Sequence, residues 1–156
     1  MLPSMPIKYN FLRIFVKNLY ALNTFHPLTI SEVKQETPNS VSISFIIPDN
    51  LKETFSFKAG QYITIRHNIK GTEIRRAYSI CSNPSSEVLS VGIKRVKGGV
   101  FSEFANSQLQ VGDKTDVMMP GGKFILDPNP QASKNYAAFV AGSGITPVLS
   151  IVKTAL

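Results

Sequence analysis

The sequence has a single cysteine, Cys81, in 156 residues. An internal disulfide framework, a four-cysteine zinc site and a cysteine-ligated iron–sulfur cluster each need several thiolates, so an iron–sulfur cluster is not held by this chain. Long apolar runs are also missing. No stretch approaches the roughly 18 to 20 residues that a helix needs to cross a bilayer, so no membrane span is expected and the protein reads as cytoplasmic. Charged residues make up only 17% and hydrophobic ones 43%. That is too little charge for a disordered or coiled-coil chain and enough apolar side chain for a sizeable core. His26 and His67 have no Cys or His at ligand spacing, so the sequence predicts no metal site. Internal repeats and low-complexity tracts are absent too, and the length suits one domain, or one plus a fragment.

Lys and Arg number 17 against 10 Asp and Glu, a formal charge of +7. A small basic barrel raises the alternative of an oligonucleotide-binding module. The cations are spread out, adjacent only at Arg75-Arg76 and Lys94-Arg95, and no run of exposed aromatics alternates with them to stack bases. No nucleic-acid partner is expected. Residues 1–23 stand apart as a leader. The apolar stretch from Ile7 to Leu22 is interrupted by Lys8, Arg13 and Lys17, which breaks the core of a secretory signal. Phe11, Phe15, Leu19 and Leu22 follow helical spacing. The segment is either an amphipathic helix for a membrane surface or partner, or a loosely docked leader or residues translated from an upstream start.

From Thr24 the periodicity turns from helical to alternating. Val41, Ile43, Phe45 and Ile47 fall on every second residue and Pro48 ends the run, the pattern of a strand with one buried face. Residues 62–65, 77–81 and 89–96 are rich in β-branched and aromatic side chains and are separated by Asn68, Gly71, Asn83 and Pro84. Residues 116–119 and 124–126 close the set around Pro120-Gly121-Gly122. Six or so short strands at this spacing predict a mainly β fold, a six-stranded antiparallel barrel over residues 24–128. One helix is expected at about 100–109, with Phe101, Phe104 and Leu109 buried. After the prolines at 128 and 130, residues 136–141 are apolar without alternation and lead through Gly142-Ser143-Gly144 into a helical stretch with Pro147 in its first turn. This predicts the first βα unit of a doubly wound α/β domain over 135–156. Since such a strand needs neighbours on both edges, the domain is expected to be truncated.

Three motifs carry the chemistry. Arg76-Ala77-Tyr78-Ser79 combines a guanidinium that can pair with phosphate, a ring that can cover a flat aromatic ligand and a hydroxyl that can reach a ring nitrogen. Strict pleating puts Arg76 and Tyr78 on one side of a strand and Ser79 on the other, so presenting all three requires a bend. An exposed arginine beside a half-buried tyrosine is the ordinary alternative. Gly98-Gly99-Val100-Phe101-Ser102 opens the expected helix, where glycines admit a close anion and the first-turn N–H groups favour negative charge. Ser102 is either a donor to that anion or a helix cap, and Gly98-Gly99 either a phosphate loop or a hairpin turn. Gly142-Ser143-Gly144-Ile145-Thr146-Pro147 stands between a strand and a helix N-terminus, where open α/β sheets bind nucleotides, although it lacks the third glycine of the usual fingerprint. A tight turn of small residues is its alternative. Cys81 reads as a buried small apolar residue, with no histidine nearby to activate it.

These motifs run in one order: Ala59-Gly60-Gln61-Tyr62, Arg75-Arg76-Ala77-Tyr78-Ser79-Ile80, Val96-Lys97-Gly98-Gly99-Val100-Phe101-Ser102, Pro120-Gly121-Gly122-Lys123-Phe124, and Ala141-Gly142-Ser143-Gly144-Ile145-Thr146-Pro147. Over roughly Thr24 to Leu156 the chain thus resembles the ferredoxin reductase-type FAD/NAD(P) flavoprotein superfamily. Within it, the wording is most similar to the reductase branch of phenylacetate degradation (the phenylacetyl-CoA epoxidase system), with flavohaemoglobin reductase domains a neighbouring branch. The resemblance implies a six-stranded FAD barrel followed by an NAD(P) domain. It implies that Arg76 pairs with the FAD diphosphate, that Tyr78 packs on the isoalloxazine and that Ser79 reaches flavin N5, the last two being the catalytic pair. It places Gly98, Gly99, Val100 and Ser102 at the diphosphate and Ile93 and Lys94 along the cofactor. Gly142, Gly144 and Thr146 then begin the nicotinamide nucleotide site. Electrons would pass from NAD(P)H through FAD to an iron–sulfur or oxygenase acceptor. The rest of the NAD(P) domain and the two-iron two-sulfur domain of the phenylacetate type are not in this sequence. The resemblance therefore implies FAD binding by this chain, with weak hold on pyridine nucleotide. A non-catalytic flavin-binding remnant is the alternative, and the exposed face of the βα unit is expected to promote aggregation.

Overall fold

Every second residue of the strand Ser40–Ile46 is apolar, and Val41, Ile43 and Phe45 are all at most 4% exposed. The computed structural model describes residues 24–126, 129, 131 and 133–156, so the helical spacing of Phe11 to Leu22 and the expected boundary at 128 lie outside the described residues. Six strands are present: β1 (Phe25–Thr37), β2 (Ser40–Ile46), β3 (Tyr62–Ile69), β4 (Thr72–Ser79), β5 (Leu89–Lys94) and β6 (Lys114–Met118). They form one sheet in the order β4-β3-β6-β1-β2-β5, and all its pairings are antiparallel. The edges β4 and β5 meet just past Ser79. Ile80 bridges Val91, and the Cys81 N–H donates to the Ser90 carbonyl at 2.9 Å, which closes the sheet into a barrel.

Leu28, Ile30, Ile43, Ile63, Ile65, Ile80, Val91 and Val117 fill the interior with essentially no exposure. A helix α1 (Val100–Ser107) caps one end, and its Phe101, 1% exposed, enters the same core with Ala105. At roughly 1.5 to 3 kcal/mol per buried large side chain, this core supplies most of the barrel's stability. A last helix, α2 (Ile145–Ala155), lies on the outside of the barrel. Its Ser150 is fully buried and donates to the Ser82 carbonyl at 2.6 Å, while Lys153 Nζ donates to the Cys81 carbonyl at 3.1 Å. Neither α1 nor α2 is long and apolar enough to cross a membrane.

Two expectations are corrected. Residues 124–126 form no strand, because Gly121 already pairs with Tyr62 and the chain leaves the sheet with Phe124 62% exposed. Residues 136–141 carry no sheet pairing either and are exposed, Phe139 to 97%. An apolar segment of that kind becomes a strand only when neighbours take its backbone hydrogen bonds, and none does so among the described residues. Conversely, β1 was not anticipated as a strand. Its register shifts between Ile30 and Glu32, so Leu28 and Ile30 are buried on even positions while Val33, on an odd one, packs against the core beyond the bulge.

Candidate functional site

The end of β4 lies opposite β3 in the register Ile65↔Arg76, Ile63↔Tyr78 and Tyr62↔Ser79. Pairing to β3 stops there, since Ile80 turns to bridge Val91 on β5. This is the bend that strict pleating would have required, and Arg76, Ala77, Tyr78 and Ser79 all line one cavity of about 490 Å³. The two adjacent arginines differ in what they already hold. Arg75 donates to Glu73 at 2.8 Å and lies 5.2 Å from the centre of the Phe25 ring. Arg66, nearby on β3, donates to Asp116 at 2.8 Å. Arg76 donates only to the Arg75 carbonyl, at 2.7 Å, and has no carboxylate partner among the described residues. It is therefore the guanidinium left for a ligand.

Tyr78 is half-buried, with its ring centre 5.8 Å from that of Phe101. Burial pushes its phenol above the ordinary value, against the opposing charge of Arg76. Ser79 is half-buried and its hydroxyl has no partner among the described residues.

The opposite wall is the turn into α1. The Gly99 N–H donates to the Val96 carbonyl at 2.9 Å, and the Gly98 N–H, in a residue with φ of +76°, donates to Glu103 Oε1 at 2.9 Å. A Cβ on Gly99 would strike Ser102 Oγ and come within 3.0 Å of the Val96 carbonyl oxygen. Gly99 is thus required by space. Ser102 itself is buried; its hydroxyl donates to the Gly99 carbonyl at 3.1 Å and accepts from the Val96 N–H at 3.2 Å. The N-cap of α1 is Gly99 and no side chain caps the helix; Ser102 lines the cavity and its hydroxyl ties Val96 to Gly99 across the turn. The first-turn N–H groups of α1 have no intrahelical carbonyl to bond.

The third wall comes from the Gly142–Gly144 turn before α2. Gly142, Ser143 and Thr146 line the cavity, with Thr146 Oγ1 donating to the Ser143 carbonyl at 2.8 Å. Lys94, at the end of β5, completes the lining. Arg76 and Lys94 are the two charged side chains there and both are positive, so the cavity suits an anion. A larger groove of about 700 Å³ bordering the same turn mixes Glu32 and Glu36 with Lys34, Lys94 and Lys153, so its charge is not of one sign.

Not every expected site residue converges. Ile93 is 1% exposed and belongs to the barrel core, because the alternation of β5 points Leu89, Val91 and Ile93 inward. Gly98, Val100 and Gly144 do not line the cavity; Val100 is 48% exposed on the outer side of α1. Gly92, Val96, Phe101 and Ser143 line it without having been singled out as ligand positions. For Gly92 a signal existed: an isolated glycine in an alternating strand marks close approach of another backbone or side chain. Cys81 is buried, and burial raises its thiol against the nearby charge of Lys153, as suits a structural residue.

The residues present fit a flavin dinucleotide: an uncommitted guanidinium, a glycine turn that an added Cβ would fill, an aromatic face and a cationic lining of mixed polarity. The comparisons agree. The chain is 40% identical over 135 residues to a component of the 1,2-phenylacetyl-CoA epoxidase of Escherichia coli (strain K12), an alignment covering 86% of this chain and 38% of that protein. Among solved structures it matches a flavohemoglobin from Malassezia yamatoensis with bound FAD and heme at 26% identity and a TM-score of 0.67, over 92% of this chain and 38% of that one. It also matches phthalate dioxygenase reductase at 25% identity and a TM-score of 0.67, over 85% and 40% of the two chains. The chain thus spans about two fifths of each of these relatives. A family profile described as the oxidoreductase FAD-binding domain matches residues 27–125, and the chain belongs to that family.

Proposed function

We propose that this chain is the FAD-binding portion of an NAD(P)H-dependent oxidoreductase of the phenylacetyl-CoA epoxidase reductase type, acting in the cytoplasm and delivering electrons to an iron–sulfur centre or oxygenase partner. The observation that carries the reading is the convergence of three motifs, distant in sequence, on one cationic cavity. When bound, FAD supplies the hydride-accepting and single-electron chemistry.

The chain's own residues supply binding and geometry. Arg76 and the first-turn N–H groups of α1 would neutralise the diphosphate. Gly99 admits it to the backbone. Tyr78, backed by Phe101, would cover the flat ring system and exclude water from one face. The free hydroxyl of Ser79 is placed to hydrogen-bond the ring edge, holding it in the bend between β4 and β5. Lys94 adds positive charge at the rim. Gly142 and Thr146 would meet the pyridine nucleotide, which brings the second ligand to the same wall as the first. Ile93 supports these groups from the barrel core, and Gly98 shapes the turn before α1, while Val100 and Gly144 lie outside the cavity lining.

The test is reconstitution. The purified chain should take up FAD close to one per chain with strong quenching of flavin fluorescence by Tyr78, and Tyr78→Ala should restore that fluorescence. A preparation that stays colourless with excess FAD would overturn the reading. Flavin uptake without bleaching by either NADH or NADPH would support flavin binding without catalysis by this chain.

A further inference from the structure

Gly92 lies at an outward position of β5, opposite Ser42 of β2, where an ordinary strand carries a side chain. Its backbone does not require glycine, since it is not among the residues of positive φ. What requires it is space. A Cβ at Gly92 would lie 2.9 Å from Thr146 Cγ2. Thr146 has little freedom to yield, because its hydroxyl is bonded to the Ser143 carbonyl at 2.8 Å, and turning the methyl away would break that bond.

Thr146, Ser150 and Lys153 are spaced i, i+4, i+7, one face of α2. Along that face the methyl of Thr146 sits on Gly92, the hydroxyl of Ser150 reaches the Ser82 carbonyl and the ammonium of Lys153 reaches the Cys81 carbonyl. Asn83 answers from the barrel, donating to the Lys153 carbonyl at 2.8 Å. The acceptors, at Cys81 and Ser82, stand two and three residues past Ser79, so α2 is fastened to the same stretch of chain that forms the flavin wall.

We propose that Gly92 is the registration point at which the pyridine-nucleotide turn seats on the flavin wall, and that Ser150 and Lys153 are positioning residues that hold it there. The proposal rests on the reading of the cavity as a joint flavin and pyridine-nucleotide site. Its chemical content is a shared wall: the absent side chain at 92 brings Thr146 into the cavity that Arg76 and Tyr78 line. A side chain at 92 would drive the turn outward while leaving the barrel intact.

Hydrogen exchange on the full chain, with and without FAD, tests this in Gly92→Ala, Thr146→Ser, the double variant and Ser150→Ala. Gly92→Ala should speed exchange across α2 roughly five- to a hundredfold while strands β2 and β5 keep their protection. Adding Thr146→Ser removes the struck methyl, keeps the hydroxyl and should restore protection. Ser150→Ala should loosen α2 in the same way. The visible circular dichroism of bound FAD should change in Gly92→Ala and return in the double variant. The proposal is overturned if Gly92→Ala exchanges like the parent, if the double variant is not rescued or does not fold, if the barrel strands lose protection together with α2, or if the flavin signal ignores the loosened turn. Failure of the parent chain to take up FAD would sink the flavin reading instead, and the exchange result would still decide the registration.

Discussion

Replacing Arg76 by alanine removes the cavity guanidinium without disturbing a described ion pair, because the side chain donates only to the neighbouring carbonyl. A charge-assisted hydrogen bond contributes about 1.5 to 3 kcal/mol, so losing one to a flavin phosphate should weaken FAD binding roughly 10- to 150-fold, and losing a two-pronged contact more. Arg76→Lys keeps the charge and loses the planar fork, and should fall between the parent and the alanine variant. Arg75→Ala is the control. Arg75 is tied to Glu73 and lies over Phe25, on the exposed side of β4, so its loss should change stability by no more than about 0.5 kcal/mol and leave FAD affinity close to the parent's. Fluorescence titration with FAD at fixed ionic strength measures all four proteins, and added salt should narrow the gap between parent and Arg76→Ala. Equal affinities for those two, or an equal loss in Arg75→Ala, would refute the assignment.

Phe101→Ala removes a ring that is 1% exposed and packs on Tyr78 and Phe104, and should cost about 3 to 5 kcal/mol by urea unfolding. Gly99→Ala forces a methyl onto Ser102 Oγ, and should destabilise the turn by about 1 to 3 kcal/mol and lower FAD affinity in the same titration. Burial raises both the Cys81 thiol and the Tyr78 phenol, so the folded chain stays protonated where the unfolded one ionises, above about pH 8.5 and about pH 10 respectively. The native state then holds more protons, and stability should fall as pH rises through that window. A urea midpoint that rises on going alkaline would contradict this. Phe139→Ser alters a side chain that is 97% exposed, and should reduce light scattering at high concentration with little change in unfolding midpoint.

The barrel and the convergence of the site were legible where one face of an element repeats cleanly. The alternation of Val41, Ile43 and Phe45 announced β2, and Phe101 announced the buried side of α1, whereas Leu109, also buried, lies just past the end of that helix. The bend at Ser79 was legible as a requirement, since on a pleated strand Ser79 cannot share the face of Arg76 and Tyr78. β1 was not legible because its bulge changes the phase of its apolar residues midway. Residues 136–141 misled for the opposite reason. Apolar composition records that a segment can be buried on both sides, whereas strand formation depends on partners that a local reading does not contain. Ser102 was ambiguous in sequence because a hydroxyl at a helix start serves an anion or the helix itself equally well; in the structure it is not the cap but bridges Gly99 and Val96 across the turn, a role set by the loop's fold rather than by local pattern.

On the barrel side, two of the bonds that fasten α2 are accepted by main-chain oxygens, at residues 81 and 82, rather than by side chains. Carbonyl oxygens are present whatever amino acid occupies those positions. At these two positions the barrel therefore offers a sequence-blind socket, and a serine and a lysine of the plug carry the discrimination. Drift at residues 81 and 82 can proceed without unfastening the helix seated on them, whereas Gly92 and the Asn83 amide are places where a change in the barrel would be felt by α2.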